Sequence, residues 1–289
     1  MRRVIALLGV LALLVAGCGA ELSQEEAAAA DAERFLAALA AGDFTLVWNA
    51  LTGEARERMG SDAVSAYLEQ TQVTYKEVAQ AVEAEPGVMR VRVNGLVLTD
   101  PGRTVEWPEA WLTLRREGER WAVAWAEPLF DLALNAYHNT EYTRALALAQ
   151  AIVAIDPYHY RGHLELHYAY RGLGRLRQAE HALRTAEERT TAPQRADVAA
   201  AWARFKLSLG DAEEALNYAQ RALVLARPYS PGTYSPAWRA ETLVLAGQAA
   251  LALGDAETAA ALAEEAAEAD PESPALAMFL LELPALPAQ

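Results

Sequence analysis

All five histidines of the chain, at 138, 159, 163, 167 and 181, fall in one central stretch. His163 and His167 are four apart and would share a helix face, as zinc ligands can. Their order is His-Leu-Glu-Leu-His, not His-Glu-x-x-His, so the placed glutamate base of a metal-dependent hydrolase is missing. Packed or surface histidines are therefore expected, and no metal is assigned. No Gly-x-Ser-x-Gly, phosphate-binding loop or Ser-x-x-Lys occurs, and there are only seven serines. Gly172 and Gly174 suit a helix–helix turn better than a dinucleotide fingerprint. The reading is a protein that is not an enzyme and needs no cofactor.

Arginine offers a different chemistry. Arg161, Arg171 and Arg204 recur at spacings that place them on one face of successive helices. A guanidinium takes a carboxylate with two parallel hydrogen bonds, and nearby tyrosines add rigid contact area. That points to recognition of another polypeptide, unless Glu165 and Asp197 pair the arginines internally.

The elements that must position these residues follow from composition and pattern. The chain has 289 residues, 53% hydrophobic and 22% charged, with a net charge of −14. Length and composition allow about two domains with a substantial core. The acidity disfavours nucleic acid, whose phosphates select basic surfaces. Charge is uneven: residues 129–206 hold 10 basic and 8 acidic side chains, whereas 207–289 hold 3 and 12.

The start of the chain is Met1-Arg2-Arg3, followed by an uncharged run from Val4 to Ala16. Such a run reaches about 20 Å as a helix, short of the ~30 Å hydrocarbon core. It ends Leu14-Val15-Ala16-Gly17-Cys18, and Cys18 is the only cysteine. This resembles the bacterial lipoprotein signal. The resemblance implies cleavage after residue 17 and acylation at Cys18, with several acyl chains holding the protein firmly. The expected location is the bacterial cell envelope, lipid-anchored outside the cytoplasm, with residues 18–26 as tether.

Residues 27–128 read as an α+β module. Helices are expected over Ala27–Ala41, around Phe44 to Leu51, and from about Asp62 to Gln70 with Ser61 or Asp62 as cap. Period-two alternation then marks strands through Val88–Gly95, Trp111–Arg115 and Trp121–Trp125, with a turn at Glu117-Gly118-Glu119. This order resembles the nuclear transport factor 2-like fold. The resemblance implies a cone-shaped pocket, which some relatives use for ligands or for isomerase and dehydratase chemistry. Such chemistry needs a poised carboxylate or histidine, and the stretch has no histidine. Trp48, Trp121 and Trp125 are read as core. Small-molecule binding in this pocket is the alternative function.

Residues 129–283 repeat themselves. Leu209-Gly210-Asp211-Ala212-Glu213-Glu214-Ala215 recurs as Leu253-Gly254-Asp255-Ala256-Glu257-Thr258-Ala259, with looser copies at 139–145 and 173–179. Ala145, Ala179, Ala215 and Ala259 are spaced 34, 36 and 44 apart. Matching small or apolar residues follow at Ala149, Leu183, Ala219 and Ala263, then at Ile152, Ala186, Ala222 and Ala266. This pattern resembles the tetratricopeptide repeat, a 34-residue helix–turn–helix unit with a small residue where helices cross. The resemblance implies a mainly α helical-hairpin solenoid of about four repeats. Ser273–Leu283 would cap it, and 284–289 would be a tail. No repeat has the full Trp-Leu-Gly-Tyr set, and His163, His167 and Lys206 sit in slots the family fills differently. Pro228 to Ala237 is a ten-residue insertion, read as a surface loop with Tyr229 and Tyr234 as possible contacts.

First helices of such repeats line a concave groove. Its expected face carries Phe130, Leu134 and Tyr137; Arg161, Leu164, Tyr168 and Arg171; Asp197, Ala200, Arg204 and Leu207; then Glu241, Val244, Gln248 and Leu251. Tyr137, Arg161, Leu164, Tyr168, Arg171, Arg204 and Gln248 form the predicted partner-binding groove. The expected partner is a protein or peptide with an acidic or C-terminal carboxylate segment. The lysine/asparagine clamp of chaperone-binding repeats is absent from these slots. The functional expectation is a non-catalytic, lipid-anchored scaffold.

Overall fold

The computed structural model describes residues 22–100, 103–229 and 233–283. The expected signal segment, Cys18 and the expected tail at 284–289 lie outside the described residues. At its start the fold obeys local chemistry. Ser23 and Glu26 form a reciprocal capping box on α1 (Gln24–Ala41), and Gly42 ends the helix at φ 66°. Alanine-rich spacing then leaves Phe35, Leu36 and Leu39 buried on one face.

Three short helices follow: α2 (Phe44–Ala50), α3 (Gly53–Met59) and α4 (Ser61–Gln70). Helix α3 was not anticipated. Nor does Ser61 or Asp62 cap α4. Gly60 takes that place, with no side-chain cap bond.

The sheet is antiparallel and curled. It holds β1 (Gln72–Thr74), β2 (Glu77–Glu85), β3 (Val88–Asp100), β4 (Arg103–Glu117) and β5 (Arg120–Ala124). Both β1 and β2 pair one edge of the long β3, β1 against Val97–Thr99 and β2 against Val88–Asn94. On its other edge β3 pairs β4, which pairs β5. Met89, Val91, Val93, Leu114, Trp121 and Val123 face α1 and form the core with Trp125. The tryptophans at 121 and 125 are core side chains, while Trp48 is half-buried and stacks on Phe44.

The remainder is a stack of helical hairpins. First and second helices alternate as α5 (Glu127–His138), α6 (Tyr142–Ile155), α7 (Tyr160–Gly172), α8 (Leu176–Arg189), α9 (Arg195–Ser208), α10 (Ala212–Ala226), α11 (Pro236–Ala252) and α12 (Ala256–Ala269). A short α13 (Pro274–Glu282) closes the end, with Ser273 as its cap. The repeating alanines explain the stacking. Ala145, Ala179, Ala215 and Ala259 are all buried, as are the residues four and seven positions after each. Small side chains at these crossings let helix axes approach within about 8–10 Å.

The sheet and the first hairpin share one core. Leu129, Phe130 and Ala133 of α5, with Ile152 and Ile155 of α6, join the cluster built on α1 and the strands. The reverse face of the sheet meets the array as well. Gln194 donates to the Glu109 carbonyl at 3.4 Å, and Arg90 stacks against Tyr158.

Candidate functional site: the concave face of the array

Equivalent positions of successive first helices lie side by side, so a 34-residue separation in sequence becomes contact in space. Glu127, Arg161, Asp197 and Glu241 make one such row. Arg161 lies 3.5 Å from the Glu127 carboxylate and over the Phe130 ring at 4.4 Å. Asp197 accepts a hydrogen bond from the Tyr160 hydroxyl at 3.2 Å. This end of the groove is therefore occupied by its own side chains. Arg161 is bound to Glu127, not to either acid that the sequence suggested, and Leu164 is 6% exposed.

Burial sets the electrostatics here. The Glu165 carboxyl is pushed up to about 7, chiefly by desolvation, which outweighs the pull of Arg161. Burial likewise pushes Asp197 up to about 6, against the Tyr160 hydrogen bond and the longer-range attraction of Arg161. The rim of β3 and β4 faces this end across a cleft of about 290 Å³, lined by Asp100, Trp107, Tyr160, Asp197 and Tyr234. The insertion before α11 reaches the same cleft: Tyr234 packs on Trp238 at 4.5 Å, and Tyr229 on Tyr234 at 5.9 Å.

The other end of the groove carries Tyr137, Tyr168, Arg171, Arg204 and Gln248, all half-buried. Arg171 donates to the Tyr137 hydroxyl at 2.6 Å and lies over the Tyr168 ring at 6.0 Å. The Tyr137 and Tyr168 rings are 5.7 Å apart. Arg204 sits within 3.8 Å of Glu241, an exposed carboxylate. Among the described residues Arg171 makes no ion pair.

His163 and His167 are packing groups. A carbonyl only accepts, so Nδ1–H of His167 donates to Ala179 at 3.0 Å, and Nε2–H of His163 donates to Pro157 at 3.0 Å. Burial holds His167 down to about 4. No group of three or more metal-ligating side chains occurs among the described residues.

Sequence reasoning missed Glu127 as the partner of Arg161, although their separation of one repeat length was a usable signal. It also missed Arg90 and His159 at the joint between sheet and array, where no local pattern announces a contact.

This architecture defines a helical-hairpin repeat protein. Residues 240–273, spanning most of α11 and all of α12, match the sequence family described as the tetratricopeptide repeat. No match is found among curated proteins. Among solved structures the chain is similar to a thermophilic tetratricopeptide-repeat protein of Thermus thermophilus, at 25% identity over 54% of this chain and 81% of that one, with TM-score 0.45. It is also similar to BtubC of P. vanneervenii, at 17% identity over 57% and 67%, TM-score 0.44. A third is yeast Tom70, at 16% over 55% and 32%, TM-score 0.46.

Proposed function

We propose that this chain is a non-catalytic scaffold of the bacterial cell envelope, anchored by lipid on Cys18, whose concave face binds a partner protein. The partner presents an acidic or C-terminal carboxylate segment. One observation carries this reading: Arg171 and Arg204 stand on neighbouring first helices beside Tyr168, and the one ion pair they make among the described residues is that of Arg204 with the exposed Glu241. Exposed pairs of that kind are worth about 0–1 kcal/mol, so an incoming carboxylate displaces Glu241 at little cost.

Anchoring rests on the basic start, the short apolar run and Cys18. No helix among the described residues is long and apolar enough to cross a membrane. The capping box at Ser23 begins the fold five residues beyond Cys18. An extended tether of that length spans at most about 20 Å, holding the module close to the lipid surface. The module itself, helices followed by a curled sheet, is read as nuclear transport factor 2-like.

The test is fluorescence polarisation with peptides bearing acidic C-termini, free or amidated. The free carboxylate should bind more tightly, and Arg171→Glu with Arg204→Glu should remove the difference. Equal binding of both peptides, or unchanged binding by the variant, refutes the groove assignment. Radiolabelled palmitate incorporation in cells, lost in Cys18→Ala, tests the anchor separately.

A further inference from the structure

The sheet and the array enclose a second cavity, of about 90 Å³. One water needs about 10–15 Å³, so there is room for several heavy atoms. Leu96, Leu112 and Trp125 supply an apolar wall, and Arg90, His159 and Arg189 line the same space together with the carboxylates of Glu127 and Asp156.

Two buried nitrogens in this lining have no hydrogen-bond partner among the described residues: Nε of Arg90 and Nδ1 of His159. A buried donor left unmade costs about 1–3 kcal/mol, and more on a charged group. Arg90 is held 5.5 Å from the centroids of both Trp111 and Tyr158. Arg189 lies over that same Tyr158 ring at 4.7 Å. Two guanidiniums thus share one aromatic ring. Neither makes an ion pair among the described residues. The acids nearby are engaged elsewhere: Asp156 accepts from the Tyr158 amide at 3.0 Å, Glu127 lies 3.6 Å from Nε2 of His159 and 3.5 Å from Arg161, and Glu85 accepts from the Tyr158 hydroxyl. Like charges brought together with a bare donor between apolar walls describe an anion site that also wants an apolar body.

We propose that this joint binds a small carboxylate-bearing molecule with an apolar or aromatic body. Its carboxylate lies between Arg90 and Arg189, and its body occupies the chamber under Leu96, Leu112 and Trp125. A guanidinium is weakly hydrated and forked, so it takes a carboxylate in two bonds at modest desolvation cost. Nδ1 of His159 meets a further polar group of the ligand. The ligand touches residues of both the sheet and the array, so its binding stabilises the joint between them. The site is separate from the groove, and neither proposal depends on the other.

The test titrates the full-length protein with benzoate and hexanoate, and with benzamide and hexanol as uncharged counterparts. Tryptophan emission reports the site, because Trp107, Trp111 and Trp125 line it. The carboxylates should give a saturable change with at least tenfold tighter binding than their counterparts. Arg90→Gln should weaken carboxylate binding at least tenfold, and Arg204→Glu should leave it intact. Equal binding of charged and uncharged probes, or no saturable response, overturns the proposal. So does loss of the response in Arg204→Glu, which would place the anion in the groove. If Arg90→Gln does not fold, the ratio measured on the unaltered protein decides alone.

Discussion

The Arg171 guanidinium donates to the Tyr137 hydroxyl at 2.6 Å, joining first helices one repeat apart. This bond fixes the direction of a cation at the open end of the groove. Tyr137→Phe keeps the ring and its contact with Tyr168 but removes the acceptor. A hydrogen bond to a charged group is worth about 1.5–3 kcal/mol when buried. Both residues here are half-buried, so a loss of about 1 kcal/mol is expected in urea unfolding. Carboxylate peptides should also bind more weakly, because Arg171 is no longer held in place. A variant as stable as the parent would show that the bond is exchanged freely for water.

Glu165 makes stability depend on pH. Its carboxyl is held near 7 in the fold, against an ordinary value of 4.5. The folded state therefore keeps a proton that the unfolded chain has released, and stability falls as pH rises from about 4.5 to 7. Asp197, held near 6, acts in the same direction below that pH. His167, held near 4, opposes both, because its neutral form is favoured as pH rises toward 6.5. Glu165→Gln should remove its share. The variant gains over the parent at pH 8 by at most about 3 kcal/mol, at 1.36 kcal/mol per pKa unit. That gain shrinks to nothing below about pH 4.5. A difference that stays constant across this range would mean Glu165 is ionised in the fold.

The array was legible because its signal is both local and periodic. Ala145, Ala179, Ala215 and Ala259 state the register outright, and each is buried where the repeat requires. The same period, applied to Glu127 and Arg161 or to Tyr137 and Arg171, would have disclosed both contacts. Strands β1 and β2 were illegible for a physical reason. They form an edge, and Glu77 to Glu85 has no fully buried residue, so no apolar alternation was needed there. The long strands β3 and β4 bury one face and were read, although shorter than they are. The stacking of Arg90 and Arg189 on Tyr158 joins three distant segments, and single-sequence periodicity carries no term for it.

Gly247 tests how closely the cap is packed. A Cβ on this residue would stand 2.6 Å from the Phe279 ring of α13, and Phe279 is fully buried. Alanine gains up to about 1 kcal/mol in helix propensity over glycine. Overpacking a closed core costs about 1–3 kcal/mol, and a buried ring cannot swing aside. The clash should win. Gly247→Ala should lower thermal stability by a few degrees, and Phe279→Leu should rescue it in the double variant. A more stable single variant would mean that α13 shifts without cost.

Thr140 carries strain that the array itself can measure. At the turn inside each hairpin the chain adopts a left-handed conformation, with φ 70° at Gly174, 79° at Gly210 and 83° at Gly254. The equivalent residue of the first hairpin is Thr140, at φ 61°, a β-branched side chain in a region suited to glycine. Such a residue costs about 1–3 kcal/mol, partly offset by the extra freedom glycine has when unfolded. Thr140→Gly should therefore stabilise the protein by about 1 kcal/mol. Gly210→Thr should destabilise it by a similar amount, since the two turns share one geometry. The paired measurement isolates backbone conformation from side-chain contacts, because a Cβ on Gly210 would meet nothing within 4 Å. If Thr140→Gly lowered the unfolding midpoint, the threonine side chain would be supplying more stability than its backbone strain removes.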